Sequence, residues 1–382
     1  MLMPKDNPTL KRVDISPVQT QDQPFSSPAD APNLVSRLGS MLESLEIGLY
    51  HRVLDFGGGD GWVTRFLNRM GCRAVCLDVS EIAVERARRS FALDPCRWPD
   101  LPAEFLAYHG HRFPLESRSV DRVVSFDAFH HVTTPQQTLI EMSRVLKDGG
   151  KAGFSEPGGE NSLSAKTIAD LDERGIPHRD IIFDEFLEMA KFAGFTDVRV
   201  QLAPPPELAV MSAEQRIRFV DGDASAFPLE VFRSHLKTRT CVILSKGAAP
   251  ADSSRPRVLR AQMRVLDSGS AVPAGQPYRT LVEVRNIGDT IWIAESNVVG
   301  GYVTVGAQLM DTAGKMINID HARGSLPRDL APGHAVTVEI RQFAPEQPGV
   351  YEIGLAMCCE RIGWFTSEIN GPPFTRLGLR VT

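Results

Sequence analysis

The sequence predicts two domains: an α/β domain with a doubly wound, seven-stranded and mainly parallel sheet, followed by an all-β sandwich. Three observations carry this prediction. The chain has 382 residues, whereas one ordinary domain takes about 100 to 200. Strand-like and helix-like segments alternate between residues 31 and 246, the pattern of a sheet covered by helices on both faces. Residues 258–382 instead hold short runs of Val, Ile, Tyr and Thr separated by turn residues.

Two segments without a regular hydrophobic pattern flank the first domain. Residues 1–30 contain five prolines among Gln, Asp and Ser, so we expect a flexible arm. Residues 247–257 have the composition of a linker. The predicted domains are therefore 31–246 and 258–382, the second an immunoglobulin-like sandwich with an accessory role.

The elements of the first domain follow from hydrophobic spacing and end signals. A helix is expected to begin at Trp62 and to end at Gly71. Thr134-Pro-Gln-Gln137 predicts a helix start with a capping box, and that helix is expected to end at Gly149-Gly150. A further helix is predicted at 183–193. The predicted strands are 52–56, 73–77, 104–108, 122–125, 151–154, 197–202 and 240–244. Examples of predicted strands in the second domain are 280–284, 302–309, 335–340, 351–356 and 375–381.

The composition argues against several classes of protein. Lys and Arg total 42 and Asp and Glu total 47, a net charge of −5, which disfavours binding of nucleic acid through bulk charge. No apolar run approaches the ~18 residues that span a bilayer, and the first residues lack the apolar core of a secretory signal. The six cysteines lack zinc-site spacing. We therefore expect a reduced, cytoplasmic and metal-free protein, with neither a nucleic-acid partner nor an integral membrane contact.

The strongest functional signal is Asp55-Phe-Gly-Gly-Gly-Asp-Gly61, at the turn from the first strand to the first helix. Ligands of doubly wound sheets bind at this edge, and glycines allow the backbone to approach them. No Gly-Lys-Ser/Thr follows, and Trp62 stands where the dinucleotide fingerprint requires glycine, so neither phosphate-binding pattern fits. Because Asp55 and Asp60 would repel pyrophosphate, a cationic or zwitterionic ligand is expected.

Asp78 ends the second strand, 21 residues after Gly57. A carboxylate at this distance can accept hydrogen bonds from ribose hydroxyls. The expected ligand is therefore a nucleoside that carries positive charge. S-adenosylmethionine (SAM) meets this description, with its ammonium group held by Asp55 directly or through water.

Residues 50–155 resemble class I SAM-dependent methyltransferases, in the branch with ubiquinone- and menaquinone-type and many small-molecule enzymes. The matching motifs are residues 53–61, 77–78, 113–124 and 144–150. A closer likeness is to bacterial methyltransferases, associated with surface-polysaccharide genes, that read Phe-His-His after the fourth strand and Phe-Ser-Glu-Pro-Gly after the fifth; here these are 129–131 and 154–158.

The resemblance implies a Rossmann-like methyltransferase domain with SAM as cofactor. The sequence departs from the family at Tyr108-His-Gly-His111, where an acidic residue often accepts from the adenine amino group. A backbone carbonyl or neutral His109 is expected to accept instead. The predicted cofactor contacts are Asp55, Gly57, Gly59, Gly61, Asp78, Val79, His109, Gly110 and Ser125.

His130 and His131 are the candidate catalytic residues, on the edge where acceptor meets cofactor. Histidine changes charge near pH 7, and either could take the proton of an acceptor hydroxyl, an effect worth about 10² to 10⁴ in rate. Alternatively, both help to cap the helix that begins at Pro135. Glu156 either contacts the acceptor or bonds the backbone of the Pro-Gly turn that follows it.

The acceptor surface is further expected from residues 159–177 and 204–228. Arg174, His178 and Arg179 face either an anionic acceptor or solvent. In the second domain, Trp292, Tyr302, Trp364 and Phe365 either stack on sugar rings or pack in the core. That domain could equally mediate association into a homo-oligomer.

The predicted function is SAM-dependent methyl transfer to an oxygen atom of a sugar or glycan precursor. One alternative retains the enzyme but changes the acceptor to a lipid, a quinone or an amine. Another is a non-catalytic protein that retains the nucleoside-binding fold and contacts glycan or protein through its β domain.

Overall fold

The structure, a computed structural model, describes residues 23–159, 161–163, 167–168, 178–202, 211–248, 251–365 and 375–382. They form two compact units. The first takes in His51–Ala249 and the described residues before Gly48, and the second takes in Gly48–Tyr50 and Pro250–Thr382. Most of the predicted N-terminal arm lies outside the described residues.

The described residues of the first unit include the helices Ala31–Ser44 (α1), Trp62–Arg69 (α2), Glu81–Ala92 (α3), Pro135–Val145 (α4), Phe183–Phe192 (α5), Ala213–Val220 (α6) and Leu229–Thr238 (α7). Its strands are Arg52–Phe56 (β1), Arg73–Asp78 (β2), Glu104–Ala107 (β3), Val120–Phe126 (β4), Leu146–Pro157 (β5), Asp197–Val200 (β6) and Arg239–Ser245 (β7). All seven predicted strands are present.

The strands form one sheet in the order β3-β2-β1-β4-β5-β7-β6. Strands β1 to β5 are parallel, whereas β7 runs antiparallel to β5 and β6. The α/β prediction is confirmed, with a mixed sheet. The carboxyl ends of β1, β2, β4 and β5 lie side by side, so the segments that follow these strands share one edge.

Successive side chains of each strand point to opposite faces of the sheet. Helices pack against both faces. Val53 of β1 and Val124 of β4 pack with residues of α1 and α2. Their neighbours Leu54 and Val123 pack with residues of α4 and α5. The site residues on these strands are therefore divided between two faces.

Helix α4 differs from its prediction at both ends. Thr134 is the N-cap residue, but its side chain makes no capping hydrogen bond, so the predicted capping box is wrong. The Thr134 backbone, at φ −125° and ψ 67°, lies outside the extended conformation that normally allows such a bond. The predicted end at Gly149-Gly150 is also wrong: α4 ends at Val145, and β5 begins at Leu146.

The second unit is built from strands. They are Ala261–Ser268 (β8), Ala271–Val272 (β9), Pro277–Asn286 (β10), Val303–Asp311 (β11), Met316–Ser325 (β12), Ala335–Phe343 (β13), Gly349–Cys359 (β14), Gly363–Trp364 (β15) and Thr375–Val381 (β16). One sheet has the order β13-β10-β8, the other β12-β11-β14-β16-β9, with β15 paired to β14. Residues of both sheets share one hydrophobic cluster. This is compatible with a sandwich, and its immunoglobulin-like character stays a prediction.

The aromatic residues of the second unit are mostly covered. Trp292 is 0% exposed and packs edge-on against Phe365, with ring centroids 5.4 Å apart. Trp364 is half-buried beneath the Arg323 guanidinium, which lies 4.6 Å from its ring. For Trp292 and Phe365, core packing is therefore the correct alternative, and stacking on sugar is excluded by burial.

No helix within the described residues is both long enough and apolar enough to cross a membrane.

Candidate functional site

The loop between β1 and α2 is shaped by glycines with left-handed backbone conformations. Gly57 has φ 67° and Gly59 has φ 53°, values that favour glycine. A Cβ atom on Gly57 would lie 2.4 Å from the Cβ of Ala128, so the loop packs on the turn that follows β4. A Cβ atom on Gly59 would meet no protein atom within 4 Å. The predicted close approach of a ligand therefore has open space at Gly59.

Asp78, at the end of β2, fixes this loop. Its Oδ2 accepts a hydrogen bond from the Gly59 N–H at 2.9 Å, and its Oδ1 accepts one from the Ser80 N–H at 2.8 Å. A carboxylate has about four acceptor sites, so capacity remains for ligand hydroxyls. Burial raises the pKa of Asp78 in spite of these N–H donors. The next side chain, Val79, is 46% exposed and offers apolar surface beside the carboxylate.

Two more carboxylates lie at the base of the loop. Asp55 is 2% exposed, and its Oδ2 accepts a hydrogen bond from the Thr64 Oγ1 of α2 at 2.6 Å. Burial raises the pKa of Asp55 to about 7 and the pKa of Asp60 to about 6, and repulsion from Asp78 and Asp60 adds to the rise at Asp55. The Asp60 Oδ2 is buried without a hydrogen-bond partner.

The burial of Asp55, at 2% exposure, disfavours direct contact with a ligand. Contact through water stays a prediction, and the buried charge also acts electrostatically. Asp60, which the sequence placed only at the border of the loop, adds a second buried acid. Three crowded carboxylates favour a cation over an anion at the loop, because each resists ionisation while the others are charged.

The corner after β3 contains the departure from the family pattern. Tyr108 is 6% exposed and packs against Phe56 and Phe113, with centroid distances of 6.1 and 5.3 Å. His109 is exposed, and a Cβ atom on Gly110 would meet no protein atom within 4 Å. Tyr108 is therefore a core residue, and adenine contacts by His109 and Gly110 stay predictions.

Glu156, at the end of β5, organises the turn after β4. It is 0% exposed. Its Oε1 accepts hydrogen bonds from Ser125 Oγ at 2.8 Å, Ala128 N at 3.1 Å and Phe129 N at 2.9 Å. Its Oε2 lies 2.8 Å from the Nδ1 of His130. Glu156 thus bonds backbone, but that of the neighbouring strand's turn instead of its own Pro-Gly turn.

Two predicted roles change as a result. Ser125 is fully buried and donates to Glu156, so we assign it no direct cofactor contact. The His130 side chain is 5% exposed and bound to Glu156, so it does not cap α4.

Three histidine rings, those of His130, His131 and His178, lie close together at the turn after β4. His130 and His131 lie in a short 3₁₀ helix, Phe129–His131, anchored by Phe129 against Phe154 at 5.2 Å. The Arg179 N–H donates to the His130 carbonyl at 2.9 Å and so brings His178 alongside. The ring centroids are 3.9 Å apart for His130–His131, 4.5 Å for His131–His178 and 5.2 Å for His130–His178. Arg179 is exposed, and Arg174 lies outside the described residues.

Asp127, which sequence reasoning missed, fixes the start of this turn. It adopts φ 50°, a left-handed conformation that Asp tolerates better than most residues. Its carboxylate accepts hydrogen bonds from Arg37 of α1 at 2.7 and 3.2 Å and from Arg239 of β7 at 2.6 Å. Burial would raise its pKa, but the two guanidinium groups hold the pKa of Asp127 below its usual value. Nothing local in the sequence indicates these long-range pairs.

Comparison with known proteins matches residues 54–154 to the family model described as "Methyltransferase domain". The matched span holds the glycine loop, Asp78 and the first two histidines of the cluster. Residues 54–154 thus match a methyltransferase domain, the class of domain that the sequence resembles. A match to a methyltransferase domain supports the predicted cofactor, SAM.

Relatives of the methyltransferase domain transfer to different atoms. A sarcosine/dimethylglycine N-methyltransferase from Halorhodospira halochloris is 32% identical over 124 residues, 32% of this chain and 43% of the relative. A malonyl-[acyl-carrier protein] O-methyltransferase from Enterobacter lignolyticus is 30% identical over 132 residues, 35% of this chain and 47% of the relative. This chain thus spans less than half the length of either relative.

Solved structures are similar to a larger share of the chain, at lower sequence identity. A SAM-dependent methyltransferase from Mesorhizobium loti has a TM-score of 0.40 at 18% identity, covering 57% of this chain and 97% of its own. Phosphoethanolamine N-methyltransferase 2 from Haemonchus contortus, in complex with SAM, has a TM-score of 0.40 at 19% identity, covering 56% and 52%.

Proposed function

We propose that this protein transfers the methyl group of SAM to an oxygen atom of a small-molecule acceptor, with a sugar or glycan precursor as the first class to test. The observation that carries the proposal is an acidic glycine loop in contact with a turn that presents histidine. The two meet where Gly57 packs against Ala128, so cofactor and acceptor would bind beside each other.

The acidic loop fits SAM better than a phosphate-bearing nucleotide. Asp55, Asp60 and Asp78 all have raised pKa values because they are buried. A sulfonium or ammonium group nearby stabilises their ionised forms, whereas a pyrophosphate would destabilise them. Asp78 retains acceptor capacity for the ribose hydroxyls. We propose Gly57, Gly59 and Gly61 as the backbone surface against the cofactor and Val79 as an apolar contact.

The acceptor side is organised around His130. Two backbone N–H groups already donate to Glu156, which acts there as an acceptor. With Glu156 accepting at Oε2 as well, Nδ1 of His130 carries a proton and Nε2 presents a lone pair. We propose that this lone pair, with that of His131, serves the activation of an acceptor hydroxyl. The need for a base to activate the acceptor is more characteristic of oxygen than of amine acceptors, since a neutral amine is already nucleophilic.

In the transfer step, the acceptor oxygen forms a bond to the methyl carbon while the carbon–sulfur bond breaks. The bonding electron pair stays on sulfur and leaves neutral S-adenosylhomocysteine (SAH), and the hydroxyl proton departs. Holding oxygen and methyl carbon in line can supply about 7 to 11 kcal/mol of the required stabilisation. The remaining predictions, a cytoplasmic location and a homo-oligomer, belong to the same proposal.

A second candidate is methyl transfer to the nitrogen of a small amino acid. It is favoured by the similarity to a sarcosine/dimethylglycine N-methyltransferase. The two candidates differ in the atom that gains the methyl group, which mass spectrometry with fragmentation identifies directly.

The test is incubation of the full chain with methyl-labelled SAM and three acceptor pools: nucleotide sugars and polysaccharide precursors, small amino acids, and quinols. Label in a sugar oxygen is expected, and Asp78→Ala serves as the inactive control. Label only in nitrogen would replace the first candidate by the second. Failure to bind SAM in calorimetry would remove both.

A further inference from the structure

His130, His131 and His178 converge on one point from two separate segments of the chain. One ring nitrogen of each lies within 4.8 Å of a ring nitrogen of the others. Around a tetrahedral cation with metal–nitrogen bonds of about 2.0 to 2.1 Å, such nitrogens stand about 3.3 Å apart. His131 and His178 are only half-buried, so rotation of their rings can close the difference.

We propose that these three histidines bind a divalent transition-metal ion. Imidazole nitrogens suit zinc, iron and nickel and are poor ligands for magnesium or calcium. Three protein ligands leave at least one coordination position open, as in catalytic and not structural sites. The sequence predicts a metal-free protein because its cysteines lack zinc-site spacing, and His178 lies 47 positions from His131, outside any local ligand motif.

The surroundings of His130 match those of a metal ligand. Metal-bound histidine almost always donates its second ring N–H to a carboxylate or carbonyl, which fixes the tautomer and orients the ring. Glu156 does this for His130, with Oε2 2.8 Å from Nδ1. Because Glu156 is fully buried and also held by Ser125 and two backbone N–H groups, it cannot follow the ring if the ring rotates away.

Hydrogen bonds hold the two residues that follow His178. The Arg179 N–H donates to the His130 carbonyl at 2.9 Å. Asp180 accepts from Ser162 through both its carboxylate oxygens, at 2.7 Å from the backbone N and 2.7 Å from Oγ. Two anchors on consecutive residues therefore keep His178 beside the 3₁₀ helix that carries the other two histidines.

The role of the ion rests on the proposed function, whereas its binding does not. An acceptor oxygen in the open position has a lowered hydroxyl pKa and releases its proton to water before it attacks the methyl carbon. An imidazole bound to metal cannot take that proton. The ion therefore replaces His130 and His131 as the activating group and favours acceptors that carry oxygen ligands.

The binding test uses the full chain stripped with a chelator and titrated with Co²⁺ by visible absorption and with Zn²⁺ by calorimetry. One equivalent of either ion is expected to bind, with ligand-field bands for Co²⁺. His131→Ala and His178→Ala are each expected to weaken binding at least about tenfold, and Glu156→Gln about 10- to 100-fold. His334→Ala, an exposed histidine of the second unit, is the matched control and is expected to bind normally.

Circular dichroism and SAM titration of each variant separate misfolding from loss of the metal site. The two histidine variants are expected to bind SAM normally. Absence of stoichiometric binding, or unchanged binding in both His131→Ala and His178→Ala, would overturn the metal site and leave the transferase proposal in place. If the wild-type chain binds the ion but not SAM, the transferase proposal fails and the metal site stands.

Discussion

The proposed cofactor side and the proposed acceptor side of this sheet edge are built in different ways. The cofactor side comes from one stretch of the chain, Asp55 to Ser80, whose backbone groups and carboxylates bond one another over short sequence distances. The proposed acceptor side comes from segments whose contacting residues lie 26 to 118 positions apart. Glu156 reaches the turn after β4 across 26 to 31 positions, and Arg37 reaches Ser155 across 118.

The difference explains why one side is recognisable and the other is not. A loop that must fit a fixed nucleoside can be specified by glycine positions and one acid at a set distance. Side chains that meet only after folding carry no such spacing. The substitutions below test whether a change on one side leaves the stability and ligand affinity of the other side unchanged.

The largest expected effect is that of Asp78→Ala on the cofactor side. The change removes the acceptor for ribose hydroxyls and the bond to the Gly59 N–H. Hydrogen bonds to charged groups contribute about 1.5 to 3 kcal/mol each, so we expect SAM and SAH affinity to fall about 100-fold by calorimetry. Glu81→Ala, an exposed acid three residues on, is the charge-matched control. Equal binding by both variants would show that Asp78 has no role in the cofactor site.

Glu156→Gln, on the acceptor side, should lower the stability of the protein and leave its SAM affinity nearly unchanged. Its amide group places N–H atoms against existing N–H donors, so we expect the free energy of unfolding to fall by about 2 kcal/mol, measured with urea. SAM affinity should change little, because the cofactor side is separate. Glu116→Gln, at an exposed position, is the control. A large loss of SAM affinity without loss of stability would mean that the two sides are coupled.

Gly59→Ala should affect binding more than folding. The new Cβ meets no protein atom, but it occupies the space proposed for the ligand, and its positive φ costs about 1 to 2 kcal/mol. We expect about tenfold weaker SAM binding. Gly57→Ala, whose Cβ would clash with Ala128, should lower the melting temperature more. The reverse order would place the ligand elsewhere on the loop.

The pH dependence of cofactor binding should report the ionisation of the buried acid Asp55. Folding raises the pKa of Asp55 from 3.8 to about 7, so its proton stabilises the folded chain at low pH. That contribution is lost as the pH rises through the folded pKa. A cation then offsets the buried charge, and the rise in melting temperature produced by SAM should be larger at about pH 8 than at about pH 6.

Asp55→Asn removes the titrating group and should flatten this dependence while retaining an acceptor for Thr64. SAH, which lacks the sulfonium charge, should show a smaller dependence than SAM in the wild-type chain. An identical pH profile in Asp55→Asn would assign the effect to other groups.

The smallest expected difference concerns two helix caps. The Ser80 Oγ accepts from the Ala83 N–H at 3.2 Å, so Ser80→Ala should cost about 1 kcal/mol of unfolding free energy. Thr134 makes no capping bond, and Thr134→Ala should stay within about 0.5 kcal/mol of wild type. Equal losses would restore the capping box that the sequence predicts.

The sequence predicted strand positions best where consecutive residues of a strand are all buried. Strands such as β1 and β2 are apolar runs bounded by glycine or aspartate, so their positions were predicted from composition alone. β12 has no such apolar run: most of its residues are exposed, and it lies at the end of its sheet. An exposed edge strand has no alternation for a hydrophobic pattern to detect.

The site followed the same rule. Asp78 and the glycines were predicted because their spacing is local. The burial of Asp55 and Ser125 depends on which face of the sheet each occupies, and the grouping of His178 with His130 depends on one backbone hydrogen bond between distant segments. Neither can be derived from the spacing of residues along a single chain.

The pairing of Asp127 with arginines from the first helix and the last strand of the unit has a practical consequence. Anyone trimming the protein to a minimal catalytic fragment along the boundaries of the matched family span would discard both Arg37 and Arg239. The strained, half-buried aspartate would then be left charged and without either counter-ion beside the histidines. Such a fragment should fold poorly or lose activity. A fragment that begins before Ala31 and extends past Ser245 keeps both arginines paired with Asp127.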